Sequence, residues 1–334
     1  MFLFAAASTV IDLATANLYG IRFGGDLPLQ PVPDTAGIKG FTFRNHDGLQ
    51  SPVMIFSSGA TIADCVFEDN EGGGGWSGAI SASESPYSPQ PPHTLRIERC
   101  VFRRNVHEPF GYGWGGALSV ESGAQGNYHL VLENSLFEEN EGKVGGALYA
   151  EEVDLDVRNC QFHANRASTT ASALSWKIDA DYDPVPARHV SILGSTFHGN
   201  VCTTPNAPAV SFGGDGVPAA TMSARSSIFW GNTNPGASQI QVLTSTHVAA
   251  DVAWCTIQGG LAGWSGPVTV GPGNSVADPL FVNPAAGDLH LAPGSPCRDA
   301  GDPAFAGLPG ELDLDGEPRV FGPAVDQGAD EDQP

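Results

Sequence analysis

The motif Phe-x-x-Asn recurs along the chain, at Phe67/Asn70, Phe102/Asn105, Phe137/Asn140, Phe162/Asn165, Phe197/Asn200 and Phe229/Asn232. Successive phenylalanines are 35, 35, 25, 35 and 32 residues apart. A period of that length restricts the fold to stacked units, because one unit has too little core to bury its apolar face alone. Other positions keep the same beat. A small residue stands two before each phenylalanine (Cys65, Cys100, Ser135, Cys160, Ser195, Ser227), and Cys255 before Ile257 extends the column to a seventh unit. Three residues earlier lies an apolar side chain in Ile62, Ile97, Leu132, Val157 and Ile192. Downstream of the asparagines comes a third segment: Gly78-Ala79-Ile80, Gly116-Ala117-Leu118, Gly146-Ala147-Leu148, then the decayed forms Ala173-Leu174 and Ala209-Val210.

Each unit thus holds three short segments with period-2 alternation, joined by turns. Strand geometry puts Cys100 and Phe102 on one face and Val101 on the other. The step of three from Ile97 to Cys100 breaks the alternation and marks a bend, which Asn134 and Asn159 suit because asparagine tolerates turn conformations. Three strands and three turns per repeat predict an all-β chain folded as a single-stranded parallel β-helix (β-solenoid) of about eight or nine rungs. Like residues on neighbouring rungs would stack ~4.8 Å apart, in ladders of Phe, Asn and small side chains. Helical spacing is missing, and Gly, Pro and Asn punctuate every unit.

Composition narrows function more than fold. Of 334 residues, 37 are acidic and 15 basic, a formal charge of −22. That balance repels phosphate backbones and anionic lipid, which argues against a nucleic-acid or membrane-surface partner. No apolar run reaches the ~18 residues of a membrane-spanning helix. Met1 to Ala7 is apolar, but no Lys or Arg precedes Arg22; the pattern of a secretory signal is incomplete, and the chain reads as a mature or truncated form.

The paired Phe-x-x-Asn and Gly-Gly-Ala-(Ile/Leu) motifs resemble polymorphic outer membrane protein repeats, within the broader pectin-lyase-like class of right-handed β-helices. Gly40-Phe41-Thr42-Phe43-Arg44-Asn45 resembles an opening rung of that class. Further on, Asp278-Pro279-Leu280-Phe281, Leu289-His290-Leu291, Gly294-Ser295-Pro296, Asp299-Ala300-Gly301, Asp313-Leu314-Asp315-Gly316 and Val325-Asp326-Gln327-Gly328-Ala329 are similar to the closing region of bacterial choice-of-anchor Q β-helix proteins. The resemblance implies a right-handed coil and a secreted or cell-surface protein, expected to be a monomer. No C-terminal barrel pattern follows in this sequence, so an autotransporter is not the expectation. The expected organisation is an N-terminal cap or irregular first rung over 1–37, clear rungs over 38–258, and closing rungs with an acidic tail over 259–334. A cap would cover an edge that otherwise templates aggregation.

Six cysteines in a secreted chain would ordinarily form bridges. Here Cys65, Cys100, Cys160 and Cys255 alternate with serine at one repeat position, which reads more simply as a buried ladder of small residues. Cys65 and Cys100 fall in adjacent rungs, where a bridge is geometrically open, while Cys202 and Cys297 lie off the ladder. Glu68-Asp69, Arg103-Arg104 and Glu138-Glu139 stack into an acidic, basic, acidic column continued by His163 and His198. A surface charge ladder is the plain explanation, and a metal site at the two histidines the alternative. Asp179, Asp181 and Asp183 form an Asp-x-Asp-x-Asp run in a turn. With Pro184 at the glycine position and Val190 at the terminal glutamate position it is no EF-hand, and a looser calcium site is the only cofactor expectation.

By the same resemblance, a ligand cleft would run along the outer face of the strand after the Gly-Ala motif. Its inward residues are Ile80, Leu118, Leu148, Leu174, Val210 and Ile240, and its outward ones Ser81, Ser119, Tyr149, Ser175, Ser211 and Gln241. Trp76, Phe110, Tyr112 and Trp114 enter from the preceding loops. Aromatic faces stack on sugar rings as they do on one another. Trp76, Phe110, Tyr112, Trp114 and Tyr149 are therefore candidate glycan contacts above a floor of hydroxyl and amide groups; loop caps or a contact with a neighbouring domain would explain the same aromatics.

The leading expectation is a non-catalytic adhesion or glycan-binding module, its partner a polysaccharide or a host or neighbour-cell surface glycan. The catalytic alternative, a polysaccharide lyase or glycoside hydrolase, draws on Glu121, Glu151 and Lys177, which follow the floor strand in three successive rungs. Stacking would bring the two carboxylates ~5 Å apart, the spacing of a retaining glycosidase pair, and a desolvated lysine could serve as a lyase base. An exposed, self-neutralising charge ladder accounts for the same three residues. Neither the Asp-rich signatures of polygalacturonases nor the Arg-x-Pro-x-x-Arg of pectate lyases is present. A passive spacer is the third reading, since stacking alone explains most of the residues.

Overall fold

The computed structural model describes residues 9–13, 21–24, 36–84, 91–107, 114–122, 128–178, 187–205, 207–214, 220–232, 238–242, 248–305 and 307–333. Among them the strands follow a fixed cycle. One strand, such as Val101–Arg103, carries the phenylalanine; the next, such as Leu118–Glu121, follows the Gly-Ala motif; a third, such as Tyr128–Glu133, precedes the next bend. Each pairs in parallel with its counterpart one repeat away, building three nine-stranded sheets, here called first, second and third in that order. Short strands such as Val106–His107 form a fourth, six-stranded sheet between the first and the second. The molecule is a parallel β-helix, as the repeat predicts. Its sheets begin at Thr9–Asp12, Ile21–Gly24 and Gly37–Lys39 and end at Thr256–Ile257, Trp264–Ser265 and Thr269–Val270.

The core is the set of inward ladders. Phe43, Phe67, Phe102, Phe137, Phe162, Phe197 and Phe229 stack face to face, with successive centroids between 4.7 and 5.0 Å apart. Ile80, Leu118, Leu148, Leu174, Val210 and Ile240 are buried beneath the second sheet. The asparagines form an equally continuous ladder: Asn105 Nδ2 donates to Phe67 O at 2.9 Å and to Asn140 Oδ1 at 3.0 Å, and Asn140 and Asn165 repeat the pattern. A buried amide is costly unless its donors and acceptor are matched; the ladder matches them by repetition and ends on Gln239, whose Oε1 accepts from Asn232 at 2.7 Å. All six cysteines are buried thiols.

At the bend before the small residue, Asp64, Arg99, Asn134, Asn159, Ser226 and Trp254 adopt left-handed backbone, with φ between 46° and 54°. Asparagine visits that region readily, whereas Arg99 and Trp254 do so at a cost of about 1–2 kcal/mol each. They hold it because each bend amide is tied to a neighbouring turn of the coil, as in Arg99 N to Glu133 O at 3.0 Å and Trp254 N to Pro272 O at 2.8 Å.

After the last rung the chain turns back over the outside of the first sheet. Ala329 N donates to Thr196 Oγ1 at 3.0 Å, Thr256 Oγ1 to Gln327 Oε1 at 2.5 Å and Asp302 N to Ser226 Oγ at 2.9 Å. Arg319 anchors this segment; it is 1% exposed and donates to Asn159 Oδ1 (2.9 Å), Glu331 Oε2 (2.8 Å) and Gly328 O (2.7 Å). The charge column is divided accordingly. Arg104 pairs with Asp69 at 2.6 Å on the exposed part, while His163 and His198, stacked at 5.6 Å, lie under the returning chain. Phe281 meets His198 edge-on at 5.3 Å, and Gly287 sits against His163. Burial, assisted by His163, pushes the His198 imidazole down to about 4. No helix of the described residues is long and apolar enough to cross a membrane.

Candidate functional site

Two outward rows run along the second sheet. One is Met54, Ser81, Ser119, Tyr149, Ser175, Ser211 and Gln241; the other is Phe56, Ser83, Glu121, Glu151, Lys177 and Gly213. The first row is polar but closed, with Ser81, Ser119, Ser175 and Ser211 all buried. In the two rungs with an intact Gly-Gly-Ala motif, the turn ahead of the strand folds back over it. A Cβ on Gly115 would meet the Leu118 carbonyl at 2.1 Å, and one on Gly145 the Leu148 carbonyl at 2.0 Å; both glycines also have positive φ, so a side chain is excluded twice over. Ser81 Oγ is further engaged by Ser51 at 2.7 Å and Ser77 at 3.1 Å. The second row is the more open one, half-buried at Phe56, Ser83, Glu121, Glu151 and Lys177.

At its centre the side chains interlock. Glu151 is the register partner of both Glu121 and Lys177. Lys177 Nζ donates to Glu151 Oε1 at 3.3 Å, and the Tyr149 hydroxyl donates to Glu151 Oε2 at 2.7 Å. Tyr149 itself is 2% exposed and forms the bed for the half-buried Trp114, whose ring stacks on it at 5.0 Å with planes 19° apart. Glu121 accepts from Ser119 Oγ at 3.0 Å. Its carboxyl is pushed up to about 7, first by burial and second by the charge of Glu151. The two neighbouring carboxyls thus differ in surroundings: Glu151 gathers a lysine and a phenol, while burial and the neighbouring charge let Glu121 keep its proton to near neutrality.

Aromatic groups mark the other end of the row. Trp76 packs edge-on against Phe56 at 5.8 Å, and the Arg22 guanidinium lies 4.2 Å from the same ring. From Phe56 to Lys177 is four rung steps, about 19 Å at ~4.8 Å each. Of the residues singled out in the sequence, the structure brings Trp114, Tyr149, Glu121, Glu151 and Lys177 together and sets Trp76 apart on Phe56. Phe110, Tyr112, Asp179, Asp181 and Asp183 lie outside the described residues.

Sequence reasoning passed over the position immediately behind this row. Glu84, Ser122 and Glu152 occupy it in three successive rungs and are buried, with Ser122 Oγ donating to Glu84 Oε2 at 2.7 Å. The buried Arg188 lies within electrostatic reach of Glu84 and Glu152. Repeat alignment does put the three in one column, but polar residues at a turn read as solvated until the fold shows what covers them. No protein-family model matches the chain, and comparison with curated proteins finds no match either.

Proposed function

We propose that the protein is an adhesion or glycan-binding module, secreted or held at the cell surface, which takes a polysaccharide along the second row. The observation that carries this reading is the Trp114–Tyr149 stack set against Glu151 and Lys177. An indole beside charged hydrogen-bonding groups offers a pyranose both an apolar bed and partners for its hydroxyls. Trp76 and Phe56 supply a second aromatic contact further along the same face. The likeness of the motifs to polymorphic outer membrane protein repeats and to choice-of-anchor Q β-helices supports a surface location, and the net charge of −22 disfavours a nucleic-acid partner. Isothermal titration against neutral and acidic polysaccharides is the test. Binding to at least one polymer is expected, weakened roughly tenfold by Trp114→Ala through loss of one stacking contact; affinity unchanged in both Trp114→Ala and Trp76→Ala would refute the groove.

One observation favours a second reading, cleavage of the bound glycan. Glu121, with its carboxyl near 7, could protonate a glycosidic oxygen while Glu151, one rung away, acts as nucleophile or base. Reducing ends or unsaturated-uronide absorbance released by the wild type and lost in Glu121→Gln would establish it. Retention on the immobilised polymer without any cleavage would leave binding as the whole activity.

A further inference from the structure

The outer face of the third sheet carries a constellation that the glycan face does not use. His129 is the register partner of Asp154, and Leu155 that of Val190, so His129, Asp154 and His189 follow one another on successive rungs. Asp156 lies two residues along from Asp154 on the middle rung, where it points to the same side. The imidazoles approach from above and below, with centroids 5.6 Å apart and planes at 64°. Both Nε2 atoms face the Asp156 carboxylate: His129 Nε2 is hydrogen-bonded to Oδ2 at 2.7 Å, and His189 Nε2 lies 3.8 Å from Oδ1. One donor atom from each of the three residues falls within 4.8 Å of the others.

The fourth member of the group orients the third. His189 Nδ1 is 3.1 Å from Asp154 Oδ1, and the His189 amide donates to the same oxygen at 2.9 Å. A carboxylate on the back nitrogen of an imidazole fixes which nitrogen faces a metal and raises its basicity as a ligand. His129, Asp156 and His189 are all partly exposed, which gives an ion access and leaves room for solvent in its coordination sphere. On the flanking rungs the histidine position is taken by Thr94 and Thr221, so the donors are confined to the rungs around Asp154 and Asp156.

We propose that His129, Asp156 and His189 bind a divalent transition ion of the Zn2+ type, with Asp154 orienting His189 and water completing the sphere. Two imidazoles and a carboxylate suit such an ion, whereas Ca2+ and Mg2+ take oxygen ligands. Bonds of ~2.0–2.1 Å place the ligand atoms of a tetrahedral Zn2+ about 3.3 Å apart. Small side-chain rotations reach that geometry: the 3.8 Å contact shortens and the 2.7 Å hydrogen bond opens around the ion. A second group, His290, Asp315 and Asp330, is less suited, because it offers one imidazole and two carboxylates, an oxygen-rich set that favours a Zn2+-type ion less than two imidazoles do.

The test is isothermal titration of the full chain with Zn2+, with Co2+ substitution as a spectroscopic readout. A single Zn2+ of micromolar or tighter affinity is expected, and Co2+ in its place should give the visible absorption of a four-coordinate ion. His129→Ala and His189→Ala each remove that binding and that absorption, while Asp154→Asn weakens the affinity about tenfold and keeps the ion. Melting of each variant without metal stays that of the wild type, since partly exposed side chains are removed, and this separates lost ligands from a lost fold. A wild-type chain that binds no Zn2+ at submillimolar concentration overturns the proposal. So does binding that survives removal of both histidines or disappears in His290→Ala instead.

Discussion

In the rungs the buried asparagines from Asn70 to Asn232 are matched by their own copies one repeat away; in the closing segment, 276–333, the buried Arg319 is matched by groups of other kinds. Asn140 sits between Asn105 and Asn165, giving and receiving the same amide contact. Arg319 instead gathers Asn159, Glu331 and the carbonyls of Asp326 and Gly328 around one buried charge. Repetition spreads stabilisation over many equal contacts between neighbouring rungs. Among its described residues the closing segment forms a two-stranded antiparallel sheet, Phe281–Asn283 with Asp288–Leu291, and concentrates its hold at a few polar junctions. Damage to a rung should therefore reach every sheet stacked on it, and damage at Arg319 should free the closing segment while sparing the rungs.

The sharpest way to break this contrast is Arg319→Ala. Removing one partner of a buried ion pair costs about 3–5 kcal/mol, and here it strands the buried Glu331. Limited proteolysis is expected to cut within 276–333 while the β-sheet circular dichroism of the rungs persists; collapse of the whole signal would make the two regions one cooperative unit. Asn140→Ala tests the other side. It leaves the buried amide of Asn105 and the carbonyl of Phe102 short of a partner, at about 1–3 kcal/mol for each group left unmatched. The entire sheet signal should melt at lower urea in one transition, and early loss of the closing segment alone would contradict the assignment.

Two smaller effects depend on pH. His290 has its imidazole raised to about 9 from an ordinary 6.5, chiefly by its hydrogen bond to Asp315 and also by that to Asp288. A value raised on folding contributes stability that is full below the unfolded value and lost as pH climbs through the folded one. The closing segment should accordingly loosen between pH 6.5 and 9, by about 1–2 kcal/mol after solvent screening. Faster proteolytic release at the upper pH, with unchanged rungs, is the expected result.

Glu121 gives the corresponding effect inside the rungs, with opposite chemistry. Its carboxyl is raised from 4.5 to about 7, so between those values the folded state keeps a proton that the unfolded chain has released, and stability falls as pH rises. Glu121→Gln should match the wild type near pH 4 and exceed it near pH 8 by about 1–2 kcal/mol. Equal melting temperatures at the higher pH would remove Glu121 as an acid held for catalysis.

Much of the rung structure was legible because a parallel β-helix turns sequence alignment into spatial adjacency. Backbone hydrogen bonds lock each strand to its copy, so residues sharing a repeat position must stack. The phenylalanine and asparagine ladders, the inward row from Ile80 to Ile240 and the column Glu121, Glu151 and Lys177 all follow from spacing. What the alignment could not carry was anything supplied by segments without a counterpart. Trp114 lying on Tyr149 and the returning chain that covers His163 and His198 come from a loop and an ending that obey no common period. The meeting of His129 and His189 over Asp156 belongs with them, since it joins two different repeat positions. Register dictates where a backbone lies relative to its copies; which side chains meet across unlike positions is decided only when the chain is wound and closed.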